Sequence, residues 1–171
     1  MNHKMDLQRI YLTSDHHFGS WKGLSCFQVF SKEQEDDAIR KWNEKVRKDD
    51  VVIYLGDFCD GNLTDAIEYK KRLNGEIILV KGNHDDLPDN VYRSIFKKVC
   101  NELKIDDIIL RHCPKLKSRK RQIFGHVHRD GIVDPSFLDN GYCVCASMND
   151  GWPIAFEDIL KMNLQKSFGL V

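Results

Sequence analysis

"EIILVKGNHDD", residues 76–86, drives an apolar run straight into glycine, asparagine, histidine and two aspartates. A buried strand tolerates such side chains poorly, because each must find a partner or stay in water. Either the run ends in an ordinary turn, or it exists to aim those groups at something charged. The stretches before it behave alike. "VVIYLGDFCD" (51–60) is an apolar run ending in Gly56-Asp57, and "RIYLTSDHH" (9–17) ends in Asp15-His16-His17. Continuous apolar runs of this length suit strands buried on both faces.

Helical patterns separate the three runs. Over 31–50, Ser31 and Gln34 have capping-box spacing, and Ile39, Trp42 and Val46 share one face. Residues 63–75 read as a second helix stopped by Asn74-Gly75. The order β-α-β-α-β predicts a mostly parallel sheet with helices packed on it. Later, "KKVCNELKI" and "DIILRHC" flank Asp106-Asp107 as a hairpin. "RQIFGHVH" and "YCVCAS" read as further strands and "FEDILKMNL" as a closing helix, so a second sheet is expected. With 171 residues, one domain over 1–171 is expected.

In an open α/β sheet, ligands bind beyond the carboxyl ends of the strands. Arg111-His112 and Gly125-His126-Val127-His128 add two more polar strand ends, and only His3 of the seven histidines lies outside these clusters. If the chain is extended there, Asp15 and His17 face one side, and His126 and His128 do likewise about 6.5–7 Å apart. That spacing could serve two metal ions roughly 3.5–4 Å apart. The donors are carboxylate, imidazole and amide, with no thiolate, which suits Mn, Fe, Ni, Co or Zn in a catalytic site. Each motif alone has an ordinary loop reading; the set, in this order, carries the inference.

The combination D-x-H, GD, GNHD, H and GHxH resembles the calcineurin-like metallophosphoesterase superfamily from Asp15 to the last helix. That resemblance implies an α/β fold, two mixed β-sheets packed as a sandwich flanked by helices. It implies that Asp15, His17 and His128 hold one metal ion, that Asn83, His112 and His126 hold a second, and that Asp57 bridges both. Two divalent transition-metal ions follow as cofactors, with Mn favoured. His84 would sit unligated beside the substrate phosphate, with Asp85 orienting its ring; a purely structural His84 is the alternative. Where many relatives carry another histidine, "HFGS" puts Ser20, and His16 fills the variable position, where it could contact substrate but is read rather as solvated or as supporting the site from behind the ligands.

The activity implied is hydrolysis of phosphoester bonds, with phosphodiesters of small or nucleotide type preferred over monoesters. A water acidified between the two cations would attack phosphorus, while Asn83 and His84 stabilise the charge and His84 protonates the leaving oxygen. A phosphomonoesterase, a nuclease and a non-catalytic interaction scaffold on the same fold are the rivals. With 26 basic and 26 acidic residues the net charge is zero, which weighs against long nucleic acid as a partner. "KLKSRKR" (115–121) is the local exception, read either as a solvated loop or as a lure for anionic substrates. No run is long enough to span a membrane, and residues 1–10 lack the apolar core of a secretory signal. A cytoplasmic location is therefore expected. Its six cysteines read mostly as buried thiols, and a homo-oligomer stays open.

Overall fold

Three apolar runs become three neighbouring parallel strands: β1 (Ile10–Thr13), β2 (Val51–Tyr54) and β3 (Glu76–Val80). The computed structural model describes residues 9–23, 30–128 and 140–167, with side chains as far as Met162. Two-residue periodicity gives each strand two apolar faces. Val52, Tyr54, Ile77 and Leu79 point into one core, whereas Ile10, Leu12, Ile53, Leu55 and Val80 point into another.

Helices close the first face. In α1 (Lys32–Lys45) the Ser31 hydroxyl accepts from the Gln34 N–H, and the Gln34 side chain accepts from the Ser31 N–H. This is the capping box read from the sequence. Its buried stripe of Ala38, Ile39 and Trp42 faces the sheet, and the Trp42 indole donates to the Asn74 carbonyl at 2.9 Å. That bond ties α1 to the turn after α2 (Leu63–Arg72), whose N-cap is Asn62. A third helix, α3 (Asp89–Ile95), was not expected from the sequence; it buries Tyr92.

A second sheet covers the opposite face. It comprises β5 (Leu103–Ile105), β6 (Ile108–Arg111), β7 (Gln122–Phe124) and β8 (Gly141–Cys143), in that order. β5 and β6 are antiparallel, joined at Asp106-Asp107 as expected, with Asp106 at φ 52°. The other pairs are parallel. Ile108, Leu110, Ile123, Val144, Phe156 and Ile159 fill the space between the sheets, the last two from α4 (Phe156–Ser167). Just before α4, β9 (Ile154–Ala155) runs antiparallel to β1, so both sheets are mixed.

One reading changes. The run 97–105 is two strands, not one. β4 (Lys98–Cys100) extends the first sheet beside β3, whereas Leu103–Ile105 pairs with β6 in the second. Val99 packs into the helix-side core, while Leu103 and Ile105 pack between the sheets, so the chain changes layers at Asn101-Glu102. Cysteines 59, 100, 113, 143 and 145 are free thiols, and Cys26 lies outside the described residues. Among the described residues no helix is long and apolar enough to cross a membrane.

Candidate metal centre

The ends of β1 and β2 continue side by side beyond the sheet. Asp15 N–H donates to the Gly56 carbonyl at 3.0 Å, and His17 N–H donates to that of Asp57 at 3.2 Å. Asp15, His17 and Asp57 take left-handed backbones, with φ of 58°, 45° and 57°. β7 likewise stops at Phe124, and His126 has φ 68°. The extended-chain geometry expected at both D-x-H and GHVH is therefore absent. Each loop turns sharply, and this curvature, not strand alternation, presents the side chains. Gly56 is needed at this crowded junction: its φ is 89°, and a Cβ there would lie 2.5 Å from the Gly82 nitrogen and 2.6 Å from His112 Nδ1.

The loop after β3 is locked to the Asp57 loop. The buried Asp85 carboxylate accepts from three backbone N–H groups: Gly82 at 2.8 Å, Asp57 at 2.9 Å and Phe58 at 3.1 Å. In return, the His84 N–H donates to Asp57 Oδ1 at 2.8 Å. Asp85 was expected to orient the His84 ring; the contacts it makes here hold two loops in register. Opposite, the His126 N–H donates to Asp15 Oδ2 at 2.8 Å, joining the second sheet to the first.

All seven expected ligand positions converge. His112 Nε2 lies 2.9 Å from Asn83 Oδ1, 3.1 Å from His126 Nδ1 and 3.2 Å from Asp57 Oδ2. The same Asp57 oxygen is 3.5 Å from His17 Nε2, and His128 Nε2 is 3.7 Å from Asp15 Oδ1. Donor atoms of Asp15, His17 and His128 lie within 4.8 Å of one another, as do those of Asp15, Asp57 and His112. Two imidazoles are fixed from behind. His112 Nδ1–H donates to the Leu55 carbonyl at 2.7 Å and His17 Nδ1–H to Asp60 Oδ1 at 2.7 Å, so Nε2 is the nitrogen each ring turns inward. Asp60 was overlooked in the sequence, although it ends the quoted "GDFCD".

Burial and crowding of like and unlike charges perturb the groups of the cluster strongly. Burial pushes Asp15 up to about 6, with the His112 charge pulling the other way. His112 rises to about 9: burial opposes the shift, but the hydrogen bond to Asp57 and the two nearby carboxylates outweigh it. Burial, then the His17 charge, pushes His128 down to about 4. Asp15 Oδ1 is buried with no hydrogen-bond partner among the described residues. A carboxylate oxygen left so, facing inward imidazole nitrogens, fits a divalent cation.

The neighbouring polar residues divide. The His84 ring stands edge-on to His17, with centroids 5.2 Å apart. His16, by contrast, is fully buried, stacked on Phe18 at 4.7 Å, with Nδ1 2.9 Å from the Tyr54 hydroxyl. That excludes the substrate-facing and solvated roles and leaves the supporting one, packed behind Asp15 and His17. Ser20 is buried in a short 3-10 turn. In the basic loop, Arg121 is paired with Asp107, at 2.6 and 3.0 Å, while Lys115, Lys117, Arg119 and Lys120 are exposed.

Comparison with known proteins agrees with this geometry. The family model described as calcineurin-like phosphoesterase matches residues 8–161. An uncharacterized protein of Methanocaldococcus jannaschii, MJ1445, is 38% identical over 86 residues, 47% of this chain and 49% of that protein. The gene 66 protein of Mycobacterium phage D29 is 31% identical over 90 residues, 51% of this chain and 45% of that protein. These matches thus span about half the length of each curated relative. The crystal structure of a protein of unknown function from Aquifex aeolicus, AQ665, shares the fold. Its TM-score is 0.70 over 90% of this chain and 98% of that one, at 23% identity.

Proposed function

The chain belongs to the calcineurin-like phosphoesterase family, a family of metal-dependent phosphoester hydrolases, and from that premise we propose that it hydrolyses phosphodiesters of small or nucleotide type at a two-metal centre. Asp15, His17 and His128 would hold one ion, Asn83, His112 and His126 the other, and Asp57 both. The observation that carries this reading is Asp57 Oδ2, 3.2 Å from one inward histidine nitrogen and 3.5 Å from the other. Manganese is our preferred ion, since the carboxylate and amide oxygens suit it.

When bound, the ions would neutralise the phosphate and lower the pKa of water at the centre. The protein does the rest by position. Asp60 and the Leu55 carbonyl keep His17 and His112 in the ligating tautomer. Asp85 holds Asn83 and His84 against Asp57 by fixing the backbone of both loops. His84, edge-on to His17, would bind a phosphate oxygen and deliver a proton to the leaving alkoxide. We place this activity in one domain.

The test compares kcat/KM for bis-p-nitrophenyl phosphate, p-nitrophenyl phosphate and a single-stranded oligonucleotide, using manganese-reconstituted protein. The diester should be preferred over the monoester. A monoester preference would reverse that choice, and far faster cleavage of the oligonucleotide would make the protein a nuclease. Metal binding without hydrolysis of any of the three would leave the scaffold reading.

A further inference from the structure

The sequence offers no sulfur donor among the motif residues, yet the fold brings a cysteine side chain to the centre. Cys113 directly follows His112 at the end of β6, and it is exposed. Its Sγ and one ring nitrogen each of His112 and His126 all lie within 4.8 Å of one another. His112 Nε2 and His126 Nδ1 are already 3.1 Å apart, and Asn83 Oδ1 is 2.9 Å from the same Nε2. Sulfur and two imidazole nitrogens thus meet at one corner, with the Asn83 amide oxygen beside His112. Tetrahedral zinc with bonds of about 2.0–2.3 Å places its ligands roughly 3.3–3.8 Å apart, so the sulfur need approach by no more than about 1–1.5 Å while the nitrogen and amide oxygen atoms move apart by a few tenths of an ångström.

We propose that Cys113 is an additional metal ligand, which lets the His112–His126 corner select a thiophilic ion such as Zn²⁺ over Mn²⁺. This rests on the metal-centre reading above and deepens it, assigning the two corners different metal preferences. The Asp15–His17–His128 corner offers oxygen and nitrogen alone among its three donors, whereas this one adds a soft donor. On binding, the thiol proton leaves to solvent and the sulfur lone pair forms the bond to the ion. Manganese gains little from sulfur and would leave Cys113 as a thiol.

Cobalt(II), a spectroscopic substitute for zinc, tests this in the metal-free full chain. Wild type should develop a near-ultraviolet thiolate-to-cobalt charge-transfer band. Cys113→Ser should bind cobalt, as its visible d–d bands report, without the charge-transfer band. Cys145→Ser is the control, because Cys145 Sγ lies 3.8 Å from His128 Nδ1 and is the other thiol beside a candidate ligand; it should keep the band. Zinc affinity should fall in Cys113→Ser by at least the roughly tenfold that loss of an outer partner costs, and manganese affinity by much less. A band that survives in Cys113→Ser, or cobalt bound to wild type without a band, overturns the proposal. No cobalt binding at all would overturn the metal centre itself, and the proposal with it.

Discussion

His16 gives a quantitative test of the packing beneath the site. Its ring is sandwiched among Phe18, Trp42 and Tyr54, and burial, aided by the His17 charge, pushes its pKa down to about 3. An unfolded histidine titrates near 6.5. Because the folded value is depressed, the stabilising contribution is complete above about pH 6.5 and is lost as pH falls toward 3. At pH 5 only the unfolded chain binds this proton, about 1.5 units below its own pKa, which costs about 2 kcal/mol of stability. The assay is urea unfolding with chelator present, at pH 7.5 and 5, for wild type and His16→Phe. Comparing each protein with itself cancels the variant's starting stability and the other titrating groups common to both. Wild type should lose about 2 kcal/mol more than the variant over this interval. Equal losses would mean that His16 is solvated or protonated in the fold, and the buried assignment would be wrong.

Three further outcomes follow from the centre. Asp60→Asn removes the carboxylate behind His17 and should weaken metal binding about 10–100-fold by calorimetry while leaving the thermal midpoint of the metal-free protein nearly unchanged. Asn83→Ala should lose metal and regain part of its activity in excess manganese, whereas His84→Ala should keep its metal and lose about 10²–10⁴-fold in kcat, less for nitrophenyl than for alkyl esters. Metal binding must displace a proton from His112, held at about 9, so apparent affinity should rise by up to about tenfold per pH unit between pH 7 and 9; a flat profile would contradict that pairing with Asp57.

Much of this was legible because burial on two faces leaves a plain trace. "VVIY" and "EIILV" could be little else than interior strands, and their polar termini marked the site. What escaped depended on partners distant in sequence. The run 97–105 has one apolar pattern, but nothing local says that Val99 and Leu103 belong to different cores. His126 and His128 looked like strand alternation because a sequence does not display a φ of 68°. Asp60 and Cys113 match no motif position; each reaches a histidine only because loops from different strands meet. His16 stayed open between three roles for the opposite reason, since its own neighbours in sequence do not show that Trp42 of α1 and Tyr54 of β2 close over it.

The most direct test of the two-metal claim is metal content per chain after manganese reconstitution, measured beside hydrolysis of bis-p-nitrophenyl phosphate, for wild type and Asp57→Asn. The shared carboxylate predicts close to two ions and measurable turnover in wild type, with metal content and turnover both collapsing in the variant, because one substitution removes a ligand from each ion. Wild type that binds no divalent ion, or Asp57→Asn that keeps both ions and full activity, would contradict it.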